Sequence, residues 1–182
     1  MKITKGWIES HGACGDGAAW GIETVKDGMG LDDLLPKFKR SDWLIWTLVR
    51  SGSITHRQTV KLACVCARQS LKYVKAGELC PEKAIIAAEI WIDAPSETTR
   101  HSATNAAYAA YAAYAAGAVA NSAGAAAYAA SAVANSAGAA ANSAYAAANA
   151  AGAANATRDK AHKHACKLIL AELKKKSFKA LI

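Results

Sequence analysis

The chain has 182 residues and a formal net charge of +8, and this length indicates one domain, with room for a small second module. Its five cysteines are odd in number and lie at no spacing typical of a disulfide framework, which favours a reducing, cytoplasmic environment over a disulfide-stapled extracellular one. The beginning of the chain does not resemble a signal peptide, and the uncharged segment 101–157 is too weakly apolar for a membrane span.

Short helices with irregular connections are predicted for the first 100 residues, which hold all five tryptophans. Glycines interrupt residues 11–30, so a helix over 18–26 is expected to be short. Ser41 and Asp42 are candidates to cap a buried helix over the apolar residues 43–49. Trp43, Trp46 and Trp91 are expected in the core.

Three helix signals follow in the next part of the chain. Residues 55–73 are amphipathic, because the apolar residues recur at intervals of three and four: Val60, Ala63, Cys64, Ala67, Leu71 and Val74. Pro81 is expected to begin a helix that runs to Asp93, since its missing N–H costs nothing there. Ser96 can cap the following helix, and Glu97 complements its dipole.

Alanine dominates residues 101–157, and alanine is the best helix former. The tract repeats every seven residues. One stripe holds Tyr114, Asn121, Tyr128, Asn135, Asn142 and Asn149, and the other includes Gly117, Gly124, Gly138 and Gly152. Because each glycine costs about 1 kcal/mol in a helix, this fixed spacing predicts close packing between helices. Asn135 and Asn142 are helix-packing candidates if buried, whereas exposed asparagines would only make one face polar.

The alanine tract has two alternative arrangements. A straight helix over residues 101–157 would be about 85 Å long, whereas a compact chain of this length has a radius of gyration of about 16 Å. The sequence Asn-Ser-Ala-Gly at 121–124 and 135–138 offers break points, so we expect the tract to fold back. The alternative is a rod whose alanine and glycine seam joins another copy of the chain.

The C-terminal segment 158–182 is predicted to be a basic amphipathic helix. From Thr157 onward the chain has eight Lys or Arg residues against two acidic residues. Its apolar set is Ala161, Ala165, Leu168, Ile169, Leu173, Phe178 and Leu181. The basic side is either a solvated face or a docking surface for an acidic protein, nucleic acid or anionic membrane, centred on Lys174, Lys175 and Lys176.

Together these signals predict an all-α helical bundle. Short N-terminal helices pack on a long heptad-patterned helix or helical hairpin rich in alanine and glycine, followed by a basic C-terminal helix. The three segments 1–100, 101–157 and 158–182 are expected to form one folded unit.

No catalytic motif stands out, so a non-enzymatic protein without cofactor is expected. The chain lacks a phosphate-binding loop, a Gly-x-Ser-x-Gly elbow and a His-Glu-x-x-His pair. The acidic residues of the first half more often cap helices than form an active site: Asp16, Glu23, Asp32, Asp33 and Asp42. A metal site could be drawn from Cys64, Cys66, Cys80, His162, His164 and Cys166. Cys64 and Cys66 are separated by a single residue, which is a shorter spacing than that of the ligand pairs in structural zinc sites. Buried unpaired thiols are therefore expected instead.

Three tyrosines recur at every third residue of the alanine tract: Tyr108, Tyr111 and Tyr114. Exposed, they would be candidates for contacting a protein partner, because tyrosine offers a large contact area at low entropic cost. The alternative is that they fill the space between the alanine helix and the N-terminal half.

The chain resembles immunity proteins with an Imm-5-like domain, which occur in bacteria and bacteriophages. The matched stretch covers residues 11–116. The motifs that carry it are Gly12-Ala13-Cys14 and Asp16, Ser-Asp-Trp-Leu-Ile-Trp at 41–46, Cys-Val-Cys-Ala-Arg at 64–68, Pro-Glu-Lys-Ala-Ile at 81–85 and Pro-Ser-Glu-Thr-Thr-Arg at 95–100. The resemblance implies a cytoplasmic, non-enzymatic immunity or counter-defence protein that binds and neutralises a toxin or defence effector.

Two other functions are kept as alternatives to this protein-binding function. One is nucleic-acid binding through the basic C-terminal helix, and the other is a structural role in which the alanine and glycine seam joins copies of the chain. Inhibitors of nuclease toxins tend to be acidic, so the positive charge of this chain argues against a nuclease as the partner.

Overall fold

The computed structural model describes residues 1–74, 76–115, 125, 128–133, 139, 142–143, 145–146, 149 and 155–181. These residues are mostly helical, and the β-structure among them is limited to two strands of two residues each. The predicted all-α class is therefore confirmed. The chain divides into two compact units, Met1–Phe38 and Lys39–Ile182. The sequence had left room for a small second module but gave no boundary at residue 38.

The first unit consists of short elements around a small apolar core. Strands β1 and β2 pair antiparallel, with Ile3 opposite Met29. The elements in chain order are β1 (Lys2–Ile3), α1 (Lys5–Ser10), α2 (Gly15–Val25), β2 (Met29–Gly30), α3 (Leu31–Leu34) and a 3-10 turn (Leu35–Lys37). The buried apolar side chains are Ile3, Ile8, Val25, Leu34 and Phe38.

Helix α2 begins at Gly15, before the expected start at residue 18. Asp16 lies in its first turn, where a carboxylate interacts favourably with the helix dipole. Gly21 in the middle of α2 is buried, and a Cβ there would lie 3.0 Å from Cδ1 of Ile8. Glycine therefore allows α1 and α2 to approach closely.

The second unit is a bundle of helices. Its elements are α4 (Ser41–Arg50), α5 (His56–Arg68), a 3-10 turn (Leu71–Tyr73), α6 (Cys80–Asp93), α7 (Glu97–Ala115), α8 (Asn155–Leu173) and α9 (Lys176–Lys179). Helix α6 packs along α7 on one side and α5 on another, while α8 packs on α4 and α5. Tryptophan contributes less to the core than we predicted, since Trp91 is buried but Trp43 and Trp46 are only half-buried.

Several of the predicted helix boundaries are confirmed. The hydroxyl of Ser96 accepts the backbone N–H of Thr99 at 3.1 Å, so Ser96 caps α7. Pro81 lies in the first turn of α6, which ends at Asp93. The helix predicted over 55–73 is shorter, because i to i−3 hydrogen bonds at Gln69 and Ser70 end α5 at Arg68.

The predicted capping role of Ser41 and Asp42 is wrong. Helix α4 begins at Ser41, and its N-cap residue is Arg40, whose side chain makes no capping hydrogen bond. The hydroxyl of Ser41 instead contacts His162 in α8. The Ser41 side chain, which the local sequence pattern predicted to cap the helix, therefore makes a tertiary contact instead.

The alanine tract folds back on itself, as predicted. The carbonyl oxygens of Ala125 and of Ala63 in α5 share the one donor hydrogen of the Ser143 hydroxyl, at 3.0 and 3.1 Å. In one straight helix, residues 125 and 143 would be about 27 Å apart. A described helical segment ends at Ser131, close to the break predicted at 135–138, which itself lies outside the described residues.

The basic C-terminal segment is two helices rather than one. Helix α8 ends at Leu173, and the extended backbone of Lys175 leads into α9. Hydrogen bonds from the start of α5 hold α9 and the residues after it, since Gln58 donates to the carbonyl of Phe178 at 3.0 Å and the N-cap Thr55 to that of Leu181 at 2.7 Å. The side chain of Phe178 is buried.

None of the helices described here combines the length and apolar character needed to cross a membrane.

Candidate functional site

A buried polar cluster joins the start of α4 to α8. The Ser41 hydroxyl lies 3.0 Å from Nδ1 of His162, and a carboxylate oxygen of Asp42 lies 3.8 Å from the same nitrogen. Arg40 holds this carboxylate with two hydrogen bonds of 2.8 and 3.2 Å. The guanidinium of Arg40 also lies over the rings of Trp43 and Tyr145, 4.6 and 5.6 Å from their centres.

The Ser41, Asp42 and His162 cluster does not have the geometry of a catalytic triad. In a triad the serine and the carboxylate bind opposite nitrogens of the imidazole, so that the carboxylate orients the base. Here both groups approach Nδ1. The side chains of Ser41 and His162 are also buried, so a substrate has no access to the hydroxyl. The cluster is suited to holding α4 against α8.

Burial lowers the pKa of His162 from its ordinary value, and the positive charge of Arg40 acts in the same direction. The carboxylate of Asp42 opposes this shift without overcoming it. His162 is therefore neutral at pH 7, and its 3.8 Å approach to Asp42 is not an ion pair there. The sequence offered one signal for this position, because His162 precedes Ala165 and Ile169 at three and seven residues along the buried side of α8.

The residues considered for a metal site are distributed between the interior and the surface. Cys64, Cys66 and Cys166 are buried, whereas His164 is exposed. Burial raises the pKa of Cys64 and of Cys166 to about 12, and raises that of Cys66 further, so these thiols stay protonated at pH 7. Within the described ranges, no group of three or more His, Cys, Asp or Glu side chains is arranged to hold a metal ion.

Four of the five acidic residues considered for catalysis are exposed: Asp16, Glu23, Asp32 and Asp33. The fifth, Asp42, is half-buried and paired with Arg40.

The partner-binding candidates of the alanine tract are only partly described. Tyr108 of α7 is 69% exposed, so it does not fill a space between helices. Tyr111 and Tyr114 belong to α7, but their side chains lie outside the described part. Whether these tyrosines contact a partner stays a prediction.

The helix-packing candidates Gly117, Gly124, Gly138, Gly152 and Asn135 lie outside the described residues. Asn142 is described and exposed, whereas its neighbour Ser143 is buried and makes the contact with α5. The polar residue that ties the tract to α5 is therefore one that we did not single out from the sequence.

Helix α6 presents apolar side chains to solvent as well as to the core. Leu79 just before the helix is 53% exposed, Ile86 41% and Ile90 51%. Their spacing of seven and four residues places them on one side, which we call the α6 ridge. Other α6 side chains are buried: Ala84, Ile85, Ala88, Trp91 and Ile92. The sequence predicted this helix and the burial of Trp91, but it did not single out the α6 ridge, because apolar residues occur around the whole helix.

The basic candidates at the C-terminal end are all exposed. Lys174 follows the last residue of α8, and Lys175 pairs with the buried Glu172 at 2.7 Å. Lys176 begins α9. One of the three charges is therefore already partnered within the chain.

A family model matches residues 51–171 of the chain, and its description is a family of unknown function, DUF6931. The match contains α5, α6, α7 and nearly all of α8, and so it includes the α6 ridge and Tyr108. No curated protein and no solved structure matches the chain.

Proposed function

The chain belongs to the DUF6931 family of unknown function, and we propose from its exposed side chains that it acts by binding another protein. The observation that supports this most directly is the α6 ridge. Leu79, Ile86 and Ile90 extend apolar side chains into solvent over a length of about 16 Å.

The α6 ridge has the spacing of a helix that docks through side chains on one face. Anchors at intervals of seven and four residues are typical of helices that lie in an apolar groove of a partner. Full burial of a half-exposed isoleucine contributes about 1 kcal/mol to binding. Tyr108 on the neighbouring helix α7 adds an exposed aromatic side chain, a residue type enriched at binding hot spots.

We further propose that the partner is a toxin or defence effector, which the chain neutralises by forming a stoichiometric complex. This step rests on the resemblance to immunity proteins. The Pro-Glu-Lys-Ala-Ile motif at 81–85, one of the motifs that carry the resemblance, lies in α6 beside Ile86. Occlusion of the partner needs no catalytic group, so the buried position of Ser41 and His162 is compatible with it.

The test is neutralisation of a toxin or defence effector by the purified chain, with the candidates taken from the organism that carries its gene. We expect one equivalent of the purified chain to abolish the toxin's activity and to form a stable complex in light scattering. The double variant Ile86→Asp, Ile90→Asp removes two apolar anchors and places charges in the contact, so we expect binding about a hundredfold weaker by titration calorimetry.

Tyr73→Asp provides the matched control, because Tyr73 is a similarly exposed apolar side chain outside α6 and α7. It should bind and neutralise like the wild type. Unchanged affinity of the double variant would show that the α6 ridge is not the contact. Full toxin activity at excess chain would contradict the neutralisation itself.

A further inference from the structure

The exposed side of α8 is almost entirely cationic. Lys160, Lys163 and Lys167 recur at intervals of three and four, and all are exposed. Lys174 continues the same side at the end of the helix. The opposite side of α8 is buried through His162, Ala165 and Ile169. We call the four lysines the α8 cationic face.

The charges of the α8 cationic face are available to an external anion. Among the residues that the structure describes, no carboxylate lies within ion-pair distance of any of the four lysines, whereas Lys175 is paired with Glu172. Asp159 is the exposed acidic residue of α8, and it lies at the first end of the face, next to Lys160. Four unpaired ammonium groups along one line raise the local concentration of a polyanion.

We propose that the α8 cationic face binds the phosphate backbone of double-stranded DNA without recognising its sequence. From Lys160 to Lys174 it spans about 21 Å, somewhat more than half a turn of the duplex. Lysine is a compact point charge that suits phosphate. Three of its four lysines precede the cluster Lys174, Lys175 and Lys176, on which the sequence had centred the basic surface.

The side chains of the α8 cationic face favour double-stranded DNA bound without sequence recognition over other modes of nucleic-acid binding. Phosphate contacts carry no sequence information, and lysine is a flexible point charge without the fixed fork of hydrogen bonds that arginine offers to a base edge. The described exposed positions of this face hold lysine, His164 and Ala171, and no Arg, Asn or Gln. Binding of single strands depends on large aromatic side chains that stack on bases, and this face has no Phe, Tyr or Trp among the described residues. The inference does not depend on the α6 ridge or on the proposed protein partner.

The experiment measures binding of the full chain to a fluorescent DNA duplex of random sequence as a function of salt. Four phosphate contacts predict a slope of about −3.6 in log K against log salt, and hence about a hundredfold weaker binding at about 200 mM than at about 50 mM salt. The triple variant Lys160→Gln, Lys163→Gln, Lys167→Gln should reduce the slope to about −0.9, since one contact is left.

The control variant is Lys2→Gln, Lys37→Gln, Lys39→Gln, which removes the same charge from exposed lysines outside α8. It should keep the wild-type slope of log K against log salt. An equal reduction of this slope in both triple variants would mean that only the net charge matters and would overturn the proposal. Circular dichroism of both variants serves as the check that they fold like the wild type. Equal or tighter binding of single-stranded DNA or polyglutamate than of the duplex would also overturn it.

Discussion

At the scale of single residues, His162 shows how burial changes the role of a titratable group. Its ring is enclosed between α8 and the start of α4, where the Ser41 hydroxyl lies 3.0 Å from Nδ1. Burial is the largest influence on its pKa and lowers it, while Asp42 and Asp159 raise it and Arg40 and Arg158 lower it. The neutral imidazole is therefore the form that the folded state prefers.

Stability should decrease as the pH falls below the pKa of His in the unfolded chain, about 6.5. In this range the unfolded chain takes up a proton that folded His162 does not, so the free energy of unfolding falls by up to about 1.4 kcal/mol per pH unit, until the pH reaches the lowered folded pKa. Urea unfolding of the wild type and His162→Gln is measured between about pH 8 and about pH 5.5. The contribution of His162 is the difference between the two proteins in the slope of the free energy of unfolding against pH.

His164→Gln is the matched control for this measurement, since it removes an exposed imidazole from the same helix. If His162→Gln shows the same pH dependence as the wild type, His162 is not the group responsible.

At the scale of elements, the start of α5 holds both its own first turn and the end of the chain. Thr55 and Gln58 form a capping box, in which the Thr55 hydroxyl accepts the N–H of Gln58 at 3.3 Å and the Gln58 side chain accepts the N–H of Thr55 at 2.8 Å. The same hydroxyl donates to the carbonyl of Leu181 at 2.7 Å. One threonine thus stabilises a helix start and a tertiary contact.

Thr55→Ala should lower the free energy of unfolding by about 2 kcal/mol, the upper part of the range for loss of an N-cap, because the contact with Leu181 is lost as well. Thr55→Ser keeps the hydroxyl and should stay within about 0.5 kcal/mol of the wild type. Urea unfolding at neutral pH measures both. Equal destabilisation by the two variants would show that the methyl group, and not the hydroxyl, matters.

At the scale of the whole molecule, the two units differ in their capacity to fold alone. Met1–Phe38 has five buried apolar side chains and no disulfide, and chains below about 40 residues rarely fold without such a staple. Lys39–Ile182 contains the bundle and its core of leucine, isoleucine and alanine. Among the side chains of α7 that the structure describes, the buried ones are Ala103, Ala107 and Ala110.

A fragment of residues 39–182 should therefore keep its helical circular dichroism and unfold in one cooperative transition, whereas residues 1–38 alone should lack stable structure. Thermal unfolding followed at 222 nm tests both fragments. A non-cooperative transition in the longer fragment would mean that the first unit is needed for the core of the second.

Local patterns predicted those parts of the fold that depend on neighbouring residues in the chain. The helix cap at Ser96, the helix that ends at Asp93 and the start of the alanine tract in α7 were predictable, because their hydrogen bonds are made within four residues. Ser41 was assigned to a helix cap for the same local reason, and this was wrong because His162, distant in sequence, takes its hydroxyl.

Which side chains form the candidate binding surfaces depends on which of them are buried. The residue pattern of a single helix predicts burial only in part. Ile85 and Ile86 have the same side chain and are adjacent in α6, yet one is buried and the other is 41% exposed. Their different positions arise from the packing of α5 and α7 on α6, which no local pattern contains. The α8 cationic face was easier to anticipate, since charged lysines rarely enter a core.

The sequence by itself determined that the chain is helical, that its C-terminal part is basic and that the alanine tract has to fold back to be compact, because propensity, charge and length are properties of the chain alone. Only the tertiary structure decided that Ser143 joins the tract to α5, that Ser41 and His162 face each other, and that Leu79, Ile86 and Ile90 stay exposed. These outcomes follow from side chains distant in sequence competing for the same interior, where each buried polar group needs a partner and each apolar one needs room.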